Sequence, residues 1–380
     1  MSRRELSTIV ARAKALRSAP RAKPSIQLPV RHPVDLPDVA AVVAARLESE
    51  LNVGPLRVTE GPTEEPHGWE AHVYRFRIQR LANLPPPYDG PLGLRAYDTP
   101  HALTRAQHEF EVMRAVQASG YPAPRPLLLE EDCRLLGGPF LILPWANGIT
   151  LLEWLRRGFW RILSAAGQLA DLHLALHDLP LIEPLAPANS FLDRRLGEIE
   201  TMIDDYDLVE LAPGLDWLCC HRPGPASRPC LLHLDFHPAN VIVAEDRPQA
   251  VVDWSEADAG DRHADVAMTL VLMRTAPLTG QTAVERLFGR PARWWLATRY
   301  MRVYRRSAPL DPGLLRYYVA WAALRRLAVC GVWRRAGPWV HGFKTSAVQH
   351  ANSSHEESLR RAFQRATAIR LAEAPAGDLH

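Results

Sequence analysis

Between Leu231 and Asp253 the chain reads Leu-Leu-His-Leu-Asp-Phe-His-Pro-Ala-Asn-Val-Ile-Val and then, after a polar break, Ala-Val-Val-Asp-Trp. His233, Asp235 and Asn240 stand at the intervals His-x-Asp-x-x-x-x-Asn, and Asp253 closes the apolar run that follows. These residue types at these spacings suit phosphoryl transfer. That chemistry requires a hydroxyl placed in line with a γ-phosphate and neutralisation of the charge that builds up there. Asp235 is the expected acceptor of the hydroxyl proton. The amide oxygen of Asn240 and the carboxylate of Asp253 are hard oxygen donors of the kind Mg²⁺ takes, its other positions going to phosphate and water. A lone aspartate before an apolar run is ordinarily a cap or turn residue; the joint spacing carries the reading.

For Asn240 and Asp253 to meet, the chain between them must fold back on itself. Residues 241–243 and 250–252 read as two short apolar strands, and residues 245–248 supply turn chemistry. The pattern predicts a hairpin that holds Asn240 and Asp253 side by side at its open end.

At this point the chain resembles the aminoglycoside phosphotransferase family of small-molecule kinases, whose loop commonly reads His-Gly-Asp-x-x-x-x-Asn followed by Ile-Asp-Trp. Leu234 stands where glycine is usual, and Trp254 follows the second aspartate where a protein kinase would show Phe-Gly. Residues Gly260-Asp261-Arg262-His263-Ala264-Asp265-Val266-Ala267 are similar to that family's Gly-Asp-Pro-x-x-Asp-Leu-Ala segment. The resemblance gives Asp265 the role of bracing the catalytic loop. Read from the residues alone, Asp261 is a helix N-cap for the apolar run through Met273.

The resemblance continues upstream, in the same order, from about Gly61, and downstream to beyond Trp333. Gly68 and the residues up to Tyr74 look like the nucleotide loop, whose backbone amides would face phosphate oxygens. Residues 92–97 occupy the place of the strand with the phosphate-binding cation. Arg95 is then that cation, and Glu109, on an amphipathic helix over 103–118, is its partner. Many kinases carry Lys there, and Arg is not its equivalent. Gly120 is a natural C′ residue ending that helix, and the Gly-x-Pro-x-Pro that it opens is shared with the family. Residues 140–148 fall at the adenine-binding hinge, where the Pro144 carbonyl would accept and the Ala146 amide would donate. Leu169-Ala170-Asp171-Leu172-His173, on a helix over 161–176, resembles the family's Leu-Ala-x-Leu-His; we read His173 as a core or interface histidine and not a ligand.

The resemblance implies an α+β, bilobal, protein-kinase-like fold: an antiparallel-sheet N-lobe with one helix, a mainly helical C-lobe, and ATP with Mg²⁺ bound between them. The corresponding boundaries are a basic arm over 1–35, an N-lobe over 36–147 and a C-lobe over 148–380. Composition agrees, since 380 residues at 47% hydrophobic content can bury the cores of two lobes. A net charge of +3 is too slight to argue for nucleic acid, and no apolar segment is long enough for a membrane span. Five cysteines without a Cys-x-x-Cys pair suggest free thiols in a reducing cytoplasm. The arm over 1–35 has no secretory-type apolar core and reads as a surface arm.

The expected partner is a small-molecule hydroxyl acceptor. Residues 191–218 read as a helical insertion whose acidic side chains form a solvated face. Helices are expected over about 291–306, 312–335 and 354–370. Between residues 276 and 344 there are thirteen cations against two acids, Glu285 and Asp311. That balance argues against a polycationic acceptor. Trp294, Trp295, Trp321, Trp333 and Trp339 are either core or flat apolar surface for a substrate. Two readings of other classes stand beside the kinase: a catalytically silent binding protein of the same shape, and a metallohydrolase with His233, Asp235 and His237 as ligands.

Overall fold

Strand pairing defines the first half of the chain. In the computed structural model, which describes residues 36–373 except 66–70, 80–83, 98–100, 159, 184, 186, 188–189, 277–282, 338–339 and 341–352, five strands form one antiparallel sheet. They are β1 (Arg57–Glu64), β2 (His72–Gln79), β3 (Leu92–Ala96), β4 (Leu128–Glu130) and β5 (Phe140–Pro144), in the order β1-β2-β3-β5-β4. Period-two alternation sorts their side chains. Tyr74, Phe76 and Ile78 of β2 join Leu92 and Leu94 of β3 and Phe140 and Ile142 of β5 in one apolar cluster. Arg95, one residue out of phase with Leu94, faces away from that cluster.

The cluster is closed by helix α1 (Leu36–Leu51), whose Val39, Val43 and Leu47 recur every four residues and are fully buried. This helix is a correction, because a single helix was expected in this lobe. The expected helix is α2 (Ala102–Ala118). It stops as anticipated: Gly120 takes φ +81°, its amide bonds to Gln117 O at 2.9 Å, and the Tyr121 amide reaches Val116 O at 3.3 Å. Those two bonds satisfy carbonyls that the helix end leaves open.

The second half of the chain is mainly helical. It contains two small sheets, one of β6 (Ile149–Thr150), β8 (Val241–Ala244) and β9 (Arg247–Val251), the other of β7 (Cys230–Leu232) and β10 (Asp258–Gly260). β8 and β9 form the anticipated hairpin, with a tighter turn and an earlier second strand. Glu245 and Asp246 both adopt left-handed backbone, at φ +49° and +61°, as a two-residue type I′ turn requires. Pro248 lies inside β9, which tolerates it because β9 is an edge strand. The β7–β10 pairing, Leu232 opposite Asp258, then brings the chain leaving Asp253 back beside the segment that precedes His233.

Helices α3 (Leu151–Arg156), α4 (Arg161–His177), α5 (Phe191–Asp205), α6 (Ala212–Cys220), α7 (Arg262–Thr275), α8 (Ala283–Ser307), α9 (Pro312–Ala336) and α10 (Ser353–Thr367) surround these sheets. Asp261 caps α7, accepting from the His263 amide at 2.9 Å. On α5, Asp193, Glu198, Glu200, Asp204 and Asp205 are exposed while Leu196, Ile199 and Ile203 are buried, so the acids do form a solvated face. Trp321 and Trp333 are core residues and offer no surface to a substrate, whereas Trp294 is 61% exposed. The basic arm 1–35, Gly68 and Trp339 lie outside the described residues.

The hairpin turn yields a direct test. Glu245 is an exposed non-glycine residue at positive φ, which costs about 1–2 kcal/mol. Glu245→Gly should raise the urea midpoint by the equivalent of about 1 kcal/mol, and a midpoint that falls would contradict the left-handed turn.

Candidate active site

Asn240 and Asp235 are fastened to each other. The Asn240 amide nitrogen donates to the Asp235 carboxylate at 2.7 Å and to the Asp235 carbonyl at 2.9 Å. With the nitrogen so used, Oδ1 of Asn240 is the atom left to face a cation. The Val252 amide donates to Asn240 O at 2.9 Å, which ties Asn240 to the residue just before Asp253. Asp253 in turn accepts from Arg95 Nη2 at 2.9 Å, and Arg95 Nε lies 3.3 Å from Glu109 Oε2. The side chains of Asp235 and Asn240 form one polar group and those of Asp253, Arg95 and Glu109 another, and the main-chain bond from Val252 to Asn240 joins the two segments. Asp235 is 27% exposed and Asp253 22%, enough for both to meet a bound molecule.

Charge in this chain is balanced by neighbours that a sequence reading passes over. Burial pushes the Glu109 carboxyl above its ordinary range, Arg95 opposing, while burial of Asp253 is outweighed by Arg95 and Arg105, which hold its carboxyl low. Tyr97 donates its hydroxyl to Glu109 at 2.5 Å, and the Arg95 guanidinium lies 5.7 Å from its ring centre. Tyr97 follows Arg95 by two residues, so the strand period puts both on one face; that spacing was the available signal. His108 Nε2 donates to Ala257 O at 3.0 Å, fixing α2 to the turn beyond Asp253.

His237 lies against Asp235. Its Nδ1 accepts from the Ala239 amide at 3.2 Å, so the proton sits on Nε2, 3.4 Å from Asp235 Oδ2. Burial lowers the His237 pKa and Asp235 more than compensates, leaving it raised. His233 has a different part. Nε2 donates to Val252 O at 3.2 Å, Nδ1 accepts from the Asp235 amide at 3.3 Å, and the ring is wholly buried. Both nitrogens are committed to the main chain, so His233 is no metal ligand and the metallohydrolase reading loses its first donor.

Beneath the loop, Asp265 on the first turn of α7 accepts the amides of His233 at 2.7 Å and Leu234 at 2.8 Å. His173 and His177, one turn apart on α4, approach its Oδ2 with their Nε2 atoms at 3.0 and 3.2 Å. The hydroxyls of Tyr300 and Tyr304 on α8 meet the two Nδ1 atoms at 2.7 and 2.6 Å. Burial alone would raise the Asp265 carboxyl, but His173 and His177 hold it well below the usual range. Among the described residues, these three are the group whose ligand atoms are close enough to share a metal. Asp265 Oδ2 is already engaged by the His233 amide and by His177 Nε2, and both imidazole Nδ1 atoms by tyrosine hydroxyls, so the arrangement is a brace, and His173 is the core histidine expected.

Two non-glycine residues here take left-handed backbone, Leu234 at φ +61° and Asp253 at φ +69°. Such residues persist where their surroundings over-determine them. Leu234 is held by its amide on Asp265 and by burial of its side chain; Asp253 is held by Arg95 and by Ser255, whose hydroxyl donates at 3.2 Å. At the hinge, Pro144 pairs with Leu92, three residues along β3 from Arg95, and the Ala146 amide makes no backbone hydrogen bond among the described residues.

The model of the phosphotransferase enzyme family matches residues 63–327, well over half of the chain and all of the residues just described. The chain belongs to that family. Among solved structures it is similar to a thermostable mutant of aminoglycoside phosphotransferase APH(4)-Ia in ternary complex with ADP and hygromycin B. The TM-score is 0.56 at 18% identity, covering 86% of this chain and 98% of that one. It is also similar to an amicoumacin kinase in complex with AMP-PNP, Ca²⁺ and Ami, with a TM-score of 0.50 at 16% identity, over 80% of this chain and 87% of that one. At such identities the likeness establishes the kinase-like fold. Among curated proteins the chain is 30% identical to acyl-CoA dehydrogenase family member 10 of Mus musculus over 44% of its own length. It is 24% identical to family member 11 of Rattus norvegicus over 55%. It spans only 16% and 28% of those two relatives.

The brace makes the stability of the chain depend on pH. Burial, with His173 beside it, pushes the His177 pKa from 6.5 down to about 4 although Asp265 opposes. The unfolded chain therefore takes the proton first: stability is complete above about pH 6.5 and falls as pH drops toward 4, by about 3 kcal/mol. His177→Gln should flatten the dependence of the urea midpoint between pH 7 and 5, where His233, lowered by burial, contributes a slope of the same sign and His237, raised by Asp235, one of the opposite sign. An unaltered slope would disprove it. Asp265→Asn should cost about 3–5 kcal/mol at pH 7, because a buried network loses its charge.

Proposed function

We propose that the chain transfers the γ-phosphoryl group of ATP to a hydroxyl of a small molecule, with Mg²⁺ as the metal. The observation that carries this reading is the Asn240–Asp235 hydrogen bond at 2.7 Å, in a loop tied through Val252 to Asp253. It supports a general base beside one hard oxygen donor, with the segment that carries the second next to them. Asp235 accepts the proton of the acceptor hydroxyl as the oxygen attacks. His237, beside the same carboxylate oxygen, orients it.

Asn240 Oδ1 and the Asp253 carboxylate would hold Mg²⁺, which when bound neutralises charge on the phosphate oxygens. The fit is chemical: hard oxygens only, with the amide nitrogen already directed elsewhere. Arg95, oriented by Glu109 and Asp253, grips phosphate, and Gly68 is the proposed amide of the nucleotide loop. The Pro144 carbonyl and the Ala146 amide hold the adenine edge. The ADP of the related ternary complex supports a nucleotide of this kind. A reducing compartment such as the cytoplasm suits the five free cysteines, and among the described residues no helix is long and apolar enough to cross a membrane.

A silent kinase-shaped binding protein is the weaker reading. Its two grounds were Leu234 and Arg95; Leu234 adopts the left-handed backbone that glycine would give, and Arg95 makes both acidic contacts.

Asp235→Ala should lower acceptor-dependent ADP release by about 10²–10⁴-fold while ATP still raises the melting temperature. Turnover at the wild-type rate would remove Asp235 from its role. Asp253→Ala should instead abolish the part of that thermal stabilisation which depends on Mg²⁺. If the stabilisation stays intact, the metal assignment is wrong.

A further inference from the structure

The carboxylate of Asp253 is engaged on one side only. Its Oδ1 accepts from Arg95 Nη2 at 2.9 Å and from the Ser255 hydroxyl at 3.2 Å. A carboxylate oxygen offers about two lone-pair sites, so these two donors saturate Oδ1. Oδ2 has no hydrogen-bond partner among the described residues and is not sealed from solvent, the side chain being 22% exposed. One oxygen of the proposed metal ligand is thus spent inside the protein and the other is left open.

Both donors are themselves held in place. The Arg95 guanidinium lies between two acids, its Nε 3.3 Å from Glu109, which is buried. Ser255 is fixed through the main chain: Trp254, between it and Asp253, is fully buried and donates from Nε1 to Val251 O at 3.0 Å. The division of labour between the two oxygens matters to a cation. Ca²⁺ collects about 6–8 oxygens in flexible geometry and readily takes a carboxylate by both of them, whereas Mg²⁺ requires a near-octahedral shell that the narrow bite of a bidentate carboxylate does not fit. A carboxylate with one oxygen withheld therefore suits the smaller ion.

We propose that Ser255 is a positioning residue: with Arg95 it withholds Oδ1 of Asp253, so that a cation meets Oδ2 alone, and nucleotide binding thereby discriminates Mg²⁺ from Ca²⁺. This rests on the phosphotransferase reading above and deepens its metal site, because it assigns cation selectivity to a side chain that touches no cation. Ser255 is the informative position, since Arg95 is also given a part in gripping phosphate.

The test is binding, so it needs no knowledge of the natural acceptor. AMP-PNP is titrated into the full chain with Mg²⁺ or with Ca²⁺, and wild type, Ser255→Ala and Ser255→Thr are compared by calorimetry, their melting temperatures verifying folding. The quantity read is the ratio of the dissociation constant in Ca²⁺ to that in Mg²⁺, which a general loss of stability or of nucleotide affinity does not move. Wild type should favour Mg²⁺, Ser255→Ala should lower the ratio by about threefold or more, and Ser255→Thr, which keeps the hydroxyl, should retain it. No preference for Mg²⁺ in wild type, an equal ratio in wild type and Ser255→Ala, or a fall in Ser255→Thr as large as in Ser255→Ala overturns the inference and leaves the phosphotransferase reading standing. Analogue binding that needs no divalent cation would remove the metal assignment and the part given to Ser255 together, and failure of the analogue to bind under either ion would remove the phosphotransferase reading itself.

Discussion

The carboxylate of Asp265 meets four nitrogens at once, two main-chain amides of the catalytic loop and two imidazoles of α4. All of them are buried, so the charge is worth far more than it would be in water and is ruinous if left unmatched. From this the rest of the site follows. The amides of His233 and Leu234 cannot turn away without stranding the carboxylate, so the loop has one conformation, and Asp235 projects from it. The Tyr304 hydroxyl, meeting His177 Nδ1, leaves Nε2 of that ring to donate to Asp265. Four segments distant in sequence are locked by one charge.

A second chain of charge joins the two halves of the molecule. Arg95 comes from the five-stranded sheet, Glu109 from α2 and Asp253 from beyond the β8–β9 hairpin, and the guanidinium contacts both acids. Arginine suits this bridging because its planar fork presents separate donors to separate carboxylates, which a single ammonium does with less geometric definition. The same contact retains Asp253 in left-handed backbone. The strain at Leu234 and Asp253 is thus held by hydrogen bonds that also define the site, an economical way to keep a loop and a carboxylate in unfavourable conformations.

Three residues after Asp253, Glu256 is held by Arg195 of α5 and Arg325 of α9, and burial, which would raise its carboxyl, is overwhelmed by Arg325, Arg195 and Arg105.

Much of the catalytic half was legible in the residue order, because its determinants are local: the Asp235–Asn240 interval, the period-two strands around the hairpin, the Asp261 cap and the Gly120 stop each depend on neighbours within a few residues. Helix α1 was equally legible in the spacing of Val39, Val43 and Leu47, and was overlooked beside the basic residues preceding it. The sequence alone determined which residue types were available for phosphoryl transfer and in what order they occur. Only the tertiary structure decided that Tyr97 is tied to Glu109, that His233 is committed to the main chain and His237 to Asp235, and that Arg325 is neutralised by Glu256. Such outcomes turn on side chains up to a hundred and more residues apart meeting in a low-dielectric interior, where one hydrogen bond more or less settles a charge, and nothing in local spacing encodes that meeting.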